Sequence, residues 1–196
     1  MSLDVRRQAA RVAGIVQRYL VRFPAEKARL RPLYDRLADP SDLFARDSMS
    51  GHVTGSAFVV DPVRDTILMV HHATLDRWLQ PGGHVDAGES PRDGAAREAW
   101  EETGLHRFTP SNWANDPSLP LDIDPHMIPA NPGRGKRQHY HFDFRYLFVA
   151  DSTHALTAQD GEVKATRWMP IDELTRDDAD GVWRLVVGKL RAVLKA

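Results

Sequence analysis

A helix in the middle of the chain constrains the fold most, because the sequence specifies both of its ends. Ser90 is a good N-cap, Pro91 occupies the favoured first helical position, and Asp93 completes a capping-box pattern. Gly104 is a natural terminator at the other end. The sequence therefore predicts a helix over residues 91–103.

Three glutamates share one face of this helix. At about 100° per residue, Glu102 and Glu101 lie roughly 40° and 60° to either side of Glu98. Like charges at this spacing destabilise a helix, and a divalent cation bound by carboxylate oxygens offsets their repulsion. A solvated acidic surface is the alternative explanation for three glutamates alone. The opposite face is predicted to be buried and contains Ala95, Ala96, Ala99, Trp100 and Thr103.

The residues around the three glutamates decide between these explanations. From Gly83 to Leu105 the chain follows the pattern Gly-x5-Glu-x7-Arg-Glu-Ala-x-Glu-Glu-x-Gly-Leu. Apart from the apolar positions of Ala99 and Leu105, seven residues of this pattern are fixed; at a frequency of about 1 in 20 each, they match by chance on the order of once in a billion starting positions. The segment resembles the signature of the Nudix hydrolases, which cleave a nucleoside diphosphate linked to another group.

The resemblance implies roles for the signature residues. Glu101 and Glu102 match the metal ligands of the helix, and Glu98 matches a further metal ligand or the general base. The Gly83 carbonyl matches a backbone ligand of the metal. Mg²⁺ is the implied metal, with Mn²⁺ as a substitute.

Two further roles come from the same resemblance. Glu89 and Arg97 match a structural pair that ties the loop to the helix. An outer glutamate on a later loop often completes the site, and Glu162 is the best-placed candidate, with Asp160 second.

Strands mixed with helices indicate an α/β (α+β) domain, and the resemblance implies a Nudix-type α/β/α sandwich with a mixed β-sheet. Residues 53–60 and 66–72 predict a hairpin, and His139–Ala150 predicts the strongest strand. An apolar stripe near the N-terminus predicts an N-terminal helical extension over residues 1–50. The Nudix hydrolase domain, with a C-terminal helix, is then expected over 51–196.

Several polar and aromatic residues outside the signature are candidates for binding substrate. On the strand from His139, the odd-numbered polar side chains are predicted to face solvent or a cleft, opposite an aromatic core face. A metal site on that polar face is less favoured, because Mg²⁺ prefers oxygen to imidazole. The candidates for substrate contact are Trp78, His84, Arg134, Arg137, His141 and Arg145. The alternatives are a core position for Trp78 and a solvated hairpin tip for Arg134, Lys136 and Arg137.

Composition narrows the partners and the compartment. The net charge of −1 calls for neither nucleic acid nor an anionic membrane, and no stretch approaches the roughly 20 apolar residues of a membrane span. The absence of cysteine and of an apolar N-terminal leader leads us to expect a cytoplasmic protein. A small nucleotide-type diphosphate is the expected substrate, and a homodimer is an open alternative to a monomer.

Other function classes fit less well. A catalytically inactive Nudix-fold module that senses a nucleotide is the main alternative, but such modules usually lose signature residues and this signature is intact. An isopentenyl diphosphate isomerase would need a catalytic cysteine, and the chain has none. An RNA 5′-end pyrophosphohydrolase stays open within the hydrolase class, although the sequence has no long basic stripe.

Overall fold

The computed structural model describes residues 3–38, 43–45, 50–86, 88–131, 133, 137–176, 178 and 181–195. The helices within these ranges are α1 (Leu3–Arg22), α2 (Arg31–Leu37), α3 (Pro91–Thr103) and α4 (Val182–Leu194), with short 3₁₀ turns at Pro24–Lys27 and Ile171–Thr175. The strands are β1 (His52–Asp61), β2 (Thr66–His72), β3 (Arg77–Leu79), β4 (Gly82–His84), β5 (Phe108–Pro110), β6 (Asp122–Ile128), β7 (His139–Ala150) and β8 (Val163–Pro170).

The strands form one mixed sheet around β1. The main path runs β3-β2-β1-β7-β5, and β8, β4 and β6 pair with β2, β1 and β7 respectively. β1 and β7 are parallel from His52 opposite His141 to Val60 opposite Val149. The other pairings are antiparallel, including the β1–β2 hairpin. The predicted hairpin and mixed sheet are confirmed.

Helices cover both faces of this sheet. Alternate residues of β1 serve two separate cores: Ala57 and Val59 pack with α1 and α3, whereas Phe58 and Val60 pack with α4. All ten residues of β1 are buried, as expected for a central strand that is covered on both sides. The predicted α/β/α sandwich is therefore confirmed.

The apolar stripe of the N-terminal helix packs against this same chain. Val12, Ile15 and Val16 are no more than 4% exposed and belong to one core with Ala95 of α3 and Phe142 of β7. The apolar side of α1 is therefore buried by packing within this chain. The proposed boundary near residue 50 is thus crossed by a shared core.

Three elements differ from the sequence-based expectation. The sequence favours short strands at Leu121–Ile123 and Met127–Ile128, but β6 is one strand through Pro125; it pairs only with β7 among the described strands, and an edge position tolerates proline. The sequence also favours a break in extended structure at Pro81-Gly82-Gly83, but Gly82–His84 forms β4. β5 was not predicted.

The buried side of α4 also differs. The sequence predicts one apolar side of this helix, formed by Val182, Leu185, Val186, Leu190 and Leu194. Leu185 is nevertheless 40% exposed, whereas Lys189 is 8% exposed. The Lys189 ammonium lies 2.7 Å from Asp122 Oδ1 and 2.6 Å from Glu26 Oε1. Because a charge enters a protein interior only with partners, these two carboxylates explain its burial.

The polar face of β7 is also more buried than expected. Asp143 and Arg145 are 3% and 7% exposed, so of the two predicted surroundings, solvent or a cleft, solvent is wrong for them. Arg145 donates to Asp143 Oδ2 (3.0 Å), Asp122 Oδ2 (3.2 Å) and Asp124 Oδ2 (2.7 Å). The physical reason is that β6 and β1 flank β7 and supply hydrogen-bonding partners in place of water.

Asp61 holds the end of β1 to neighbouring loops. Its carboxylate accepts from the Ser152 backbone N–H (2.9 Å), the Ser152 hydroxyl (2.7 Å) and Arg64 Nη1 (2.8 Å). Burial alone would raise the pKa of this carboxyl, but the hydrogen bonds from Ser152 and Arg64 outweigh that effect and hold it well below its usual range. Asp61 therefore stabilises the fold in its ionised form.

We predict that Asp61→Asn lowers the free energy of unfolding by about 2–3 kcal/mol at pH 7, because charge-assisted hydrogen bonds to a buried carboxylate are lost. The folded-state pKa is lowered, so this contribution is complete above the unfolded pKa of about 4 and decreases as pH falls below it. Urea denaturation at pH 7 and at about pH 3 measures both effects. Asp151→Asn, at an exposed carboxylate next to Ser152, is the control. An equal loss of unfolding free energy in both variants would contradict the prediction.

Candidate active site

Helix α3 begins and ends where the sequence predicted. The Asp93 backbone N–H donates to Ser90 Oγ (3.2 Å), and the Ser90 hydroxyl donates to Asp93 Oδ2 (2.6 Å). At the other end Gly104 adopts the left-handed conformation at φ 64°, and its N–H donates to the Trp100 carbonyl at 2.8 Å. These caps fix the rotation of the helix and hence the direction of its acidic face.

The opposite face of α3 lies very close to β1. A Cβ atom on Gly55 would overlap the Pro91 carbonyl oxygen, so only glycine permits this approach. Ala95 and Ala99 are fully buried there, as predicted. The predicted core position of Trp100 is wrong: its indole is 47% exposed, because so close an interface admits only small side chains.

Two of the three glutamates, Glu98 and Glu102, lie against the glycine turn. Glu102 is 6% exposed, and its Oε2 accepts from the Gly82 backbone N–H at 3.0 Å. The Glu98 carboxylate lies directly over Gly83, where a Cβ atom would be 2.6 Å from Glu98 Cδ. Glu101 is more exposed. The structure thus brings the signature glycine and the signature acids together.

Burial and mutual repulsion disfavour the charged forms of two of these acids. Burial, with smaller contributions from the charges of Glu98, Glu162 and Glu101, raises the pKa of Glu102 to about 8. Burial also raises the pKa of Glu98, against the lowering effect of Arg97. A site of this kind favours a bound cation, which would stabilise all of the carboxylates in their ionised forms.

Arg97 links the loop, the strand β4 and the acidic face. It donates to Glu89 Oε1 (3.0 Å) and to the His84 carbonyl (2.8 Å). Its Nη1 also donates to Glu98 Oε1 (3.0 Å) and to Glu101 Oε2 (2.8 Å). The contact between Glu89 and Arg97 that the resemblance implied is present, and the guanidinium also orients two of the three acids.

Glu162 approaches the site from the turn before β8. Its backbone carbonyl accepts from the Ala73 N–H at 2.9 Å, which fixes the turn against the end of β2. Its charge raises the pKa of both Glu98 and Glu102, so its carboxylate lies within electrostatic reach of α3. Asp160 is exposed on the same turn.

A row of histidines crosses the sheet beside the glycine turn. The His52 ring lies 4.8 Å from the His84 ring and 4.7 Å from the His141 ring, between centroids. His126 and His139 lie 5.5 and 5.3 Å from His141. Burial, and then the neighbouring histidines, lower the pKa of His141 to about 2, so this imidazole is neutral at physiological pH.

His52 and His126 in this row were not among the residues expected at the site. Two of the strands that pair with β7 place a histidine opposite His141: His52 on β1 and His126 on β6. A parallel register between strands that are 89 positions apart leaves no signal in a single sequence. The histidine in each strand is visible, but their alignment is not.

The other substrate candidates lie in varied surroundings. Trp78 is half-buried, with the Arg167 guanidinium 4.3 Å from its ring centroid, and Arg145 is held by the aspartates described above. Arg137 is exposed beside His139, while Arg134 and Lys136 lie outside the described residues. Substrate contact by any of these residues stays a prediction.

Comparison with known proteins agrees with this geometry. The family model of the NUDIX domain matches residues 52–186, so the chain belongs to the Nudix family. The chain is 30% identical over 124 residues to the "Probable DHNTP pyrophosphohydrolase" of Lactococcus lactis subsp. cremoris. This alignment covers 63% of this chain and 70% of that protein. It is 34% identical over 101 residues to an RNA pyrophosphohydrolase of Cereibacter sphaeroides, over 50% of this chain and 61% of the relative.

A solved structure agrees in fold. A C. elegans Ap4A hydrolase in a binary complex superposes with a TM-score of 0.54 at 16% identity, over 73% of this chain and 97% of that one. At this identity the likeness concerns the fold alone. None of the described helices combines the length and apolar character needed to cross a bilayer.

We predict that Gly83→Ala displaces the Glu98 carboxylate while it leaves the fold intact. The new methyl group would meet the end of a flexible side chain, which can rotate away. We expect the free energy of unfolding to change by less than about 1 kcal/mol, whereas Mn²⁺ affinity, measured by calorimetry, falls about tenfold.

Gly188→Ala is the matched control, because a Cβ atom at that α4 position meets nothing within 4 Å. It should leave Mn²⁺ affinity unchanged. Equal Mn²⁺ affinity in Gly83→Ala and the wild type would contradict the close contact between Gly83 and Glu98.

Proposed function

We propose that this chain hydrolyses a diphosphate linkage in a nucleoside diphosphate joined to another group, with the help of bound Mg²⁺. It is a hydrolase of the Nudix family that acts on phosphoric anhydrides. The observation that carries the proposal is the acidic cluster of Glu98, Glu101 and Glu102, in which Glu98 and Glu102 pack against the Gly82–Gly83 backbone and burial raises the pKa of both, so that a bound cation is favoured.

The donor set of the site fits Mg²⁺. Carboxylate and carbonyl oxygens are the ligands that this ion prefers, and one or two carboxylates plus substrate phosphates usually suffice. Glu101 and Glu102 would hold the ion, with Glu162 and the Gly83 carbonyl as further ligands; Glu98 would be a ligand only if another group served as the general base. When bound, Mg²⁺ neutralises phosphate charge and lowers the pKa of a coordinated water.

Residues of the chain provide the remaining functions. Glu98 is the proposed general base, which accepts at a carboxylate oxygen the proton of the attacking water. Burial raises its pKa, which makes it a stronger base than an exposed glutamate. Arg97, which donates to Glu98 Oε1, positions this carboxylate. Arg97 is a positioning residue because its described partners are protein atoms.

The proposed substrate is a small nucleotide. The two relatives reported above are both named as pyrophosphohydrolases, one of DHNTP and one of RNA, so cleavage between phosphates is the chemistry common to their names. The net charge of −1 favours a small anion over a long RNA backbone. A screen that separates each substrate from its phosphomonoester and pyrophosphate products should therefore compare nucleotide sugars, dinucleotides and nucleoside triphosphates with an RNA that carries a 5′-triphosphate.

We predict that Glu101→Gln and Glu102→Gln each lower kcat by about 100-fold or more, because each removes a proposed ligand of the activating ion. Glu98→Gln should lower kcat by about 10²–10⁴-fold, the usual contribution of a general base. Glu173→Gln, far from α3 in the chain, is the matched control and should retain full activity. Mg²⁺-dependent formation of the cleavage products from the best substrate of the screen measures all four variants.

Two results would contradict this proposal. Wild-type activity that persists in chelator would exclude the metal requirement. A folded wild-type protein that binds nucleotides but cleaves none of them would instead support the inactive sensing module.

The outer ligand can be tested separately. We predict that Glu162→Gln lowers kcat by about 100-fold. The reason is that the charge of the Glu162 carboxylate acts on the carboxyl groups of both Glu98 and Glu102. Asp160→Asn on the same turn should retain activity. If Asp160→Asn were the more damaging change, the two assignments would have to be exchanged.

Two broader expectations accompany this proposal. We propose that the protein acts in the cytoplasm, where nucleotide diphosphates are abundant.

We also retain the homodimer as a proposal, although the N-terminal stripe is already buried within the chain. Sedimentation of the full-length chain would test it, and a monomer at all concentrations would exclude it.

A further inference from the structure

Three histidines from three adjacent strands converge at the edge of the proposed active site. His52 begins β1, His84 ends β4, and His141 lies near the start of β7. The strand register places them together, since His141 is directly opposite His52 and His84 is opposite Thr54, two residues further along β1. We call these three residues the histidine cluster.

The ligand nitrogens of the histidine cluster are near the spacing of a metal site. One ring nitrogen from each of the three residues can be chosen so that all lie within 4.8 Å of one another. A tetrahedral ion with bonds of about 2.0–2.1 Å to nitrogen needs these atoms about 3.3 Å apart. Small rotations of the half-buried His84 and His141 rings would close the difference.

We propose that the histidine cluster binds one Zn²⁺-type transition-metal ion, at a site separate from the carboxylate site for Mg²⁺. The preference of Mg²⁺ for oxygen over imidazole disfavours a Mg²⁺ site on these histidines, whereas imidazole suits Zn²⁺ well. No carboxylate belongs to the cluster, and the glutamates of α3 offer oxygen alone. The two donor sets therefore select different ions.

The surroundings of the cluster support a built site. His52 is 1% exposed, so its ring is held by the residues that surround it at the start of β1. His126, whose ring is 5.5 Å from that of His141, has Nδ1 3.1 Å from Asp124 Oδ2. A carboxylate behind an imidazole is the usual way in which proteins orient histidine ligands, so His126 is a candidate fourth ligand.

The site would connect the ends of three strands next to the catalytic turn. His84 directly follows Gly83, and its carbonyl accepts from Arg97 at 2.8 Å. An ion held by His52, His84 and His141 would therefore restrain β4 from one side while Arg97 holds it from the other. If His126 does not complete the set, the three ligands of the histidine cluster would leave a fourth position for water or an anion.

The test is direct measurement of Zn²⁺ binding to the full chain, after treatment with chelator, in a large excess of Mg²⁺. Calorimetry should show one Zn²⁺ per chain with a Kd of about 1 μM or tighter. His84→Gln and His141→Gln should each weaken Zn²⁺ binding by about 100-fold, and the matched control His154→Gln should not. Co²⁺ in place of Zn²⁺ should give visible absorption in the wild type that both cluster variants lose.

The variants Glu101→Gln and Glu102→Gln separate this proposal from the proposed function, because Zn²⁺ binding should persist in both of them whether or not they hydrolyse a substrate. Three results would overturn the proposal: no Zn²⁺ binding by wild type in excess Mg²⁺, unchanged binding in both His84→Gln and His141→Gln, or loss of binding in the glutamate variants. The last result would assign the ion to the carboxylate site. His52→Gln is not used, because a change at a fully buried side chain endangers the fold.

Discussion

The hydrogen bonds of Arg97 hold together the part of the molecule on which the proposed chemistry depends. One guanidinium contacts the loop through Glu89, the strand β4 through the His84 carbonyl, and the acidic face through Glu98 and Glu101. Without the positive charge of the Arg97 guanidinium, three negatively charged glutamates would share a partly buried helix face, which would lower the stability of the fold. With it, the acids are held close together and oriented, as a metal site requires.

The central strand β1 gives this arrangement its support. Its Gly55 lets α3 approach closely, its pairing with β4 places the Gly82–Gly83 backbone under Glu98 and Glu102, and its parallel pairing with β7 aligns His52 with His141. The other face of β1 packs with α4, so the site rests on a strand that is buried on both sides. Elements that must stay fixed to within fractions of an ångström are thus built on the core.

Local features were predictable from the sequence, and long-range register was not. The ends of α3 follow from Ser90 and Gly104, because caps act over a few residues. The signature spacing located the Gly83 turn, the acids and the Glu89–Arg97 contact. The alignment of His52 with His141 and the burial of Lys189 depend on strands and helices that are distant in the chain. Trp100 was misplaced because helical periodicity gives a direction but not the distance to β1.

In the proposed function, the acidic face of α3 binds a divalent cation that activates hydrolysis. Anomalous diffraction from crystals grown with Mn²⁺ and a non-hydrolysable nucleotide would locate this cation. We predict an anomalous peak within coordination distance of Glu101 and Glu102, with a phosphate oxygen of the nucleotide on the same ion. A nucleotide bound elsewhere, with no peak at α3 and with Glu98 and Glu101 still held by Arg97, would contradict the account.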